Sequence, residues 1–132
     1  MSQDNVALMR EAFEAFSVGG VEPLLLLCPA DVVWYPLAEW VEDPVYRGRD
    51  GVRKLLAWLD NFDDIAWETH EIREVEDRVL TRADLTGRMK ASGAPIRQEW
   101  GVVCSDFRDG MIGEFRWFRT WQQALEAVGL AG

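Results

Sequence analysis

Val6, Met9, Phe13 and Phe16 recur at intervals of three and four residues, the spacing that lines up one face of an α-helix. Asp4 stands before them as a candidate N-cap and Gly19-Gly20 follows as a stop. Val21, Leu24, Leu25 and Cys28 repeat the period in a second, shorter helix, with Pro23 in its first turn and Pro29 at its end. The run Asp31-Val-Val-Trp-Tyr-Pro36 has the β-branched and aromatic content of a strand. Leu37 to Gly48 has no clean period and contains Pro44, so a loop is expected there. Beyond Arg49-Asp50, the positions Val52, Leu55, Leu56, Leu59 and Phe62 predict a third helix. From Ile65 the pattern becomes β-like over 65–73, 79–91, 96–107 and 111–119. Turn signals at Glu76-Asp77, Ser92-Gly-Ala-Pro95 and Arg108-Asp-Gly110 separate those stretches, and connections this short join antiparallel neighbours. A last helix, roughly Trp121 to Val128, is closed by Gly129. Helices first and long strands afterwards predict an α+β domain: a curved antiparallel sheet packed on N-terminal helices, enclosing a cone-shaped hollow.

Composition narrows the possibilities. At 132 residues the chain is expected to be a single domain spanning 1–132, long enough to bury roughly two-thirds of its unfolded surface. Fourteen Lys+Arg against 23 Asp+Glu leave a net charge of −9, which disfavours nucleic-acid and anionic-membrane partners. The N-terminus lacks a secretory pattern and the longest apolar run, Leu24 to Cys28, is too short to span a bilayer, so a cytoplasmic protein is expected. Cys28, Cys104 and the single His70 make neither a disulfide framework nor a zinc site. Buried, inert thiols are expected, with no metal and no cofactor. Seven tryptophans are the unusual entry, enough aromatic surface to wall a cavity or to fill a core.

Several landmarks run through nearly the whole chain: Asp31-Val-Val-Trp34 after a two-helix start, Tyr46-Arg-Gly-Arg-Asp-Gly-Val52 opening the third helix, Ser92-Gly93 and Phe107-Arg-Asp-Gly110 in hairpins, and Ala124-Leu-Glu-Ala-Val-Gly-Leu130 at the end. In these the chain resembles the nuclear-transport-factor-2-like superfamily, and within it the SnoaL-like polyketide cyclase and ketosteroid isomerase relatives. The resemblance implies a hydrophobic pocket between sheet and helices that takes a small hydrophobic ligand, and a homodimer formed through the sheet. It also implies catalytic templates. The isomerase relatives need a carboxylate base and two neutral donors. Val41-Glu-Asp-Pro-Val45 is similar to the segment bearing the base, at Asp43, but lies off the first strand, where an Asp-Pro turn is the plainer reading. The donor positions fall near Ala12 and Val103, neither of which can donate from its side chain.

Val79-Leu-Thr-Arg82-Ala-Asp84-Leu85 is similar to the strand of limonene-epoxide hydrolase that bears an Arg-x-Asp pair. Two residues apart on a strand share a face, so Arg82 could orient Asp84 and keep it ionised. The partner carboxylate of that template falls on Trp117, and Thr120 stands where a further Asp often sits, leaving Glu99 and Glu114 as the nearest acids. Alternation sets Val79, Ala83, Leu85 and Met89 on one face and Arg82, Asp84, Thr86 and Arg88 on the other. By itself that pattern makes the charged set a solvated or dimer-facing side; the resemblance implies the reverse, a buried functional pair. His70 reads as a partly exposed strand residue, or as a proton shuttle if it faces the pocket. Ser92, Ser105 and Thr120 have no paired His and base, and Arg47-Gly-Arg-Asp-Gly51 lacks the phosphate-loop spacing.

Two functions remain open at this level. One is an enzyme performing proton transfer or water addition on a hydrophobic substrate, with Asp84 as base, Arg82 orienting it, and Trp34, Trp40, Tyr46, Trp58, Glu99, Phe115 and Trp117 contacting substrate. The other is a non-catalytic ligand-binding or dimerisation module that has lost the acids.

Overall fold

The N-terminal periodicity forms one helix, α1 (Ser2–Gly19), which buries Met9, Ala12, Phe13 and Phe16. The structure is a computed structural model and describes residues 2–36 and 45–130. Because α1 begins at Ser2, Asp4 lies inside it and is not its N-cap. Gly20 ends it at a φ of 82°, a value that favours glycine, with its N–H donating to the Phe16 carbonyl at 2.9 Å. Helix α2 (Val21–Leu25) stops before Cys28, whose N–H closes a tighter turn on Leu25 O at 3.1 Å. Strand β1 (Val33–Tyr35) follows.

The segment expected to be loop up to Gly48 ends differently. Tyr46–Arg47 form a short strand, β2, and α3 (Gly48–Leu56) begins at once. Two anchors explain the early start. The Gly48 N–H donates to Val32 O at 2.7 Å, and the Arg49 guanidinium donates to Cys28 O at 2.7 and 3.1 Å, which ties α3 to the end of α2. The expected third helix then tightens into a 3₁₀ turn (Ala57–Asn61), and Phe62 already belongs to the next strand.

Four long strands complete the sheet: β3 (Phe62–Val75), β4 (Arg78–Met89), β5 (Pro95–Arg108) and β6 (Met111–Phe118), before α4 (Trp121–Ala127). Their order is β2-β1-β6-β5-β4-β3, antiparallel throughout except that β1 lies parallel to β6. Edge strand β3 carries two irregularities, between Asp63 and Ala66 and between Thr69 and Glu71. Bulges of this kind bend a strand and raise its twist, which curls the sheet over α1 and blunts an exposed edge.

The curled sheet has two unlike faces. Val79 and Ala83 of β4 join Val102, Cys104, Phe115 and Trp117 in the core shared with α1. Leu80 points the other way and packs with Val103, Ala124 and Leu125 beneath α4. Gly101 makes that second docking possible: a Cβ there would lie 2.8 Å from Ala124 Cβ and 2.9 Å from Thr120 O. Thr120 caps α4, its hydroxyl accepting from the Gln123 N–H at 3.2 Å.

Candidate functional site

Between the concave face of the sheet, α1 and the α3–3₁₀ segment lies a cavity of about 310 Å³. Alternate positions of the strands build its floor: Trp67 of β3, Leu85 of β4, Trp100 of β5, Phe115 and Trp117 of β6, with Trp34 of β1. Helix α1 contributes Met9, Ala12, Phe13 and Phe16, and Leu55, Leu56, Trp58 and Leu59 close the far side. Trp117 is the hub. Its ring centroid lies 5.4 Å from those of Trp34 and Trp67, 5.9 Å from Trp100 and 6.4 Å from Phe13, and Trp34 stacks on Phe115 at 4.5 Å. Offset and edge-to-face rings at these distances are the arrangements aromatic pairs prefer, and they join into one wall. No charged side chain and no side-chain oxygen lines the cavity among the described residues.

Four residues named from sequence therefore line one cavity: Trp34, Trp58, Phe115 and Trp117. Trp40 lies outside the described residues, as do Glu39, Glu42 and Asp43. Tyr46 is not on the cavity wall; it packs against the inner core, and the backbone of Gly51 passes close over it. Trp67 and Trp100 were not singled out from sequence. Trp100 shares parity with Val102 and Cys104, a signal that was present, whereas the two bulges in β3 break the alternation that would have assigned Trp67. Of the two positions that the resemblance gives an isomerase donor, Ala12 lines the cavity and Val103 faces α4.

Arg82 and Asp84, expected to work together at the cavity, lie on the opposite face of β4 from Ala83 and Leu85. Their parity is that of Leu80, so the simple alternation reads correctly and the inward placement implied by the resemblance does not. Nor does Arg82 hold Asp84. Arg97, diagonally across on β5, donates to the Asp84 carboxylate at 2.7 Å and to Glu68 at 3.2 Å. His70, the extra residue of the second bulge, brings Nε2 to 3.2 Å from Asp84 and 3.7 Å from Glu68. Hydrogen bonding to the Arg97 guanidinium holds the Asp84 carboxyl below its usual range, with His70 adding to the effect against a smaller opposing push from burial. Arg82 itself keeps its Nε buried without a hydrogen-bond partner among the described residues.

Glu99 stands opposite Asp84 in the register on that same outer face and accepts the Trp121 N–H at 3.1 Å, a second cap on α4. Glu68, His70 and Asp84 offer ligand atoms within 4.8 Å of one another, but Arg97 already sits against both carboxylates as their counter-charge. Both thiols are buried: desolvation pushes Cys28 up to about 12 and raises Cys104 as well, which keeps them protonated and unreactive near neutral pH. No helix among the described residues is long and apolar enough to cross a membrane.

The fold is shared with several solved structures. A candidate SnoaL-like polyketide cyclase from Jannaschia is 17% identical, with a TM-score of 0.73 over 98% of this chain and 94% of that one. A protein with a ketosteroid isomerase-like fold from Catenulispora acidiphila, solved with trimethylamine, is 17% identical with a TM-score of 0.69 over 93% of this chain and 92% of that one. TerC, co-crystallised with polyporic acid, is 16% identical with a TM-score of 0.70 over 95% and 97% of the two chains. At such identities the likeness is one of fold. No curated protein matches the chain. The profile of the SnoaL-like domain matches residues 9–115, from the buried face of α1 to the floor of the cavity, and the chain belongs to that family.

Proposed function

We propose that this protein binds a small, flat, hydrophobic molecule in the aromatic cavity and that Arg82 and Asp84 take no part in chemistry there. The observation that carries the reading is a cavity of about 310 Å³ whose wall combines five tryptophan rings with aliphatic side chains and no ionisable group among the described residues. Apolar concavities of this size are the usual form of a small-molecule site. Proton transfer or water addition needs a base or acid within hydrogen-bond reach of the reacting atom, and the described wall supplies none. Binding at a wall with no acid among the described residues thus accounts for more of the geometry than an isomerase, cyclase or epoxide-hydrolase reaction. The ligands named with two structures of this fold, trimethylamine and polyporic acid, are in keeping with a site that accepts small organic molecules.

The same reading takes the chain as a homodimer through the outer sheet face. Glu68, Asp84 and Glu99 stand there among Arg82 and Arg97, and opposite charges interspersed on one face can pair with a two-fold copy of themselves. Sedimentation equilibrium checks this, a monomer at micromolar concentration removing it.

Titration of the tryptophan fluorescence with fluorene tests the site. Saturable quenching in the micromolar range is expected, and it should vanish in Ala12→Phe, whose added ring occupies the cavity from α1. Absence of saturable binding, or equal binding by the filled variant, would sink the proposal.

A further inference from the structure

On the convex face three carboxylates stand in one row across β3, β4 and β5: Glu68 pairs with Asp84, and Asp84 with Glu99. Like charges directly opposite one another destabilise a sheet, so the row calls for cations. Glu99 turns to the Trp121 N–H, which leaves Glu68 and Asp84 to share the guanidinium of Arg97. Within that contact two negative charges meet one positive. Arg97 Nη1 reaches Asp84 Oδ2 at 2.7 Å and Glu68 Oε1 at 3.2 Å, and His70 Nε2 approaches the same two oxygens at 3.2 and 3.7 Å. One ligand atom from each of Glu68, His70 and Asp84 lies within 4.8 Å of the others. Two ligand atoms on a tetrahedral zinc ion, at bonds of about 2.0–2.2 Å, are about 3.4 Å apart. The two spacings at His70 bracket that value. The lone His70 makes no zinc motif in the sequence; the set is gathered by the bulge that inserts His70 and by the pairing of β3 with β4.

We propose that Glu68, His70 and Asp84 form a site on the convex face for one divalent cation of the zinc class, which enters by displacing Arg97. The guanidinium marks the place where the two carboxylates hold a cation, and it competes with the ion for that place. Its side chain is 56% exposed, so it can leave for water at little cost. The ion takes the lone pair of Nε2, with the imidazole proton resting on Nδ1, and no oxidant or reductant is needed. A nitrogen ligand favours zinc, copper and nickel over magnesium and calcium, which take oxygen. Three protein ligands leave a position that water fills. The site lies across the sheet from the aromatic cavity and does not rest on binding there.

His70 is the only histidine of the chain, so the untagged protein gives a single imidazole pattern in ¹⁵N magnetic resonance. One equivalent of Zn²⁺ should shift its Nε2 signal, and the same concentration of Mg²⁺ should leave it in place. Isothermal titration should show one Zn²⁺ per chain at micromolar affinity. His70→Ala should weaken that binding by about tenfold or more, the loss expected when a group that holds the metal is removed. Arg97→Gln should strengthen it severalfold, because the competing cation is gone. An Nε2 signal unmoved by Zn²⁺, an equal shift with Mg²⁺, unaltered binding in His70→Ala, or unaltered or weaker binding in Arg97→Gln overturns the site. The Nε2 signal is read on the unmodified protein and decides the question even where a variant fails to fold.

Discussion

The two faces of the β3–β6 sheet use one alternating pattern for opposite ends. On the concave face, Trp67, Leu85, Trp100, Phe115 and Trp117 leave a cavity that their rings surround. On the convex face, one part is a small apolar core beneath α4 and another is a charge network in which Arg97 joins Asp84 and Glu68 beside His70. Asp84, the acid that the limonene-epoxide hydrolase resemblance assigned to chemistry, sits in that network, while the cavity wall has no acid among the described residues. A carboxylate is stable where a guanidinium and water can reach it; in an aromatic cone it would need a buried partner, and none lines the cavity among the described residues. The apolar wall and the placement of Asp84 on the convex face are thus two aspects of one packing choice among the described residues.

Removing the hub of the concave face should have the largest consequence. Trp117→Ala is expected to cost about 3–5 kcal/mol, read as a lower urea midpoint, because it deletes the ring that touches Trp34, Trp67, Trp100 and Phe13. A loss below 1 kcal/mol would mean that the wall does not depend on this ring. The convex face should respond less: Thr120→Ala takes one cap from α4 and is expected to cost about 1 kcal/mol, with fluorene affinity unchanged. Altered affinity in that variant would show that the two faces are coupled through the sheet.

Asp84→Asn should have the smallest effect at neutral pH, about 1 kcal/mol or less, since Arg97 is largely exposed to solvent. Its signature is in the acid limb. The folded-state pKa of Asp84 is depressed, so its contribution is present above the ordinary carboxyl value and is lost as pH falls through that value toward the folded one. Wild type should therefore lose stability more steeply than Asp84→Asn below about pH 4, as followed by urea midpoints. Parallel acid limbs would remove Asp84 from the convex network, and a change in ligand binding would return it to the concave site.

Much of this was legible in the chain. The spacing of Met9, Phe13 and Phe16 marked the buried side of α1, and the parity of Val79, Ala83 and Leu85 against Arg82 and Asp84 already told the two faces apart. The resemblance pointed the other way for Arg82 and Asp84 because a fold can be shared while its site is not. The early start of α3 was not legible, since it depends on Gly48 and Arg49 meeting Val32 and Cys28 from another part of the chain. Nor was the gathering of His70 with Asp84, because a bulge inserts one residue and shifts the parity of the rest of β3.

Local periodicity and turn chemistry determined that this would be an α+β domain with helices ahead of a long-stranded sheet, because those signals reside in neighbouring residues. Whether the tryptophans would fill the cone or line it was decided only in three dimensions. The answer depends on how far the bulged sheet stands off α1, and no local pattern encodes the gap between two surfaces that meet from distant parts of the chain.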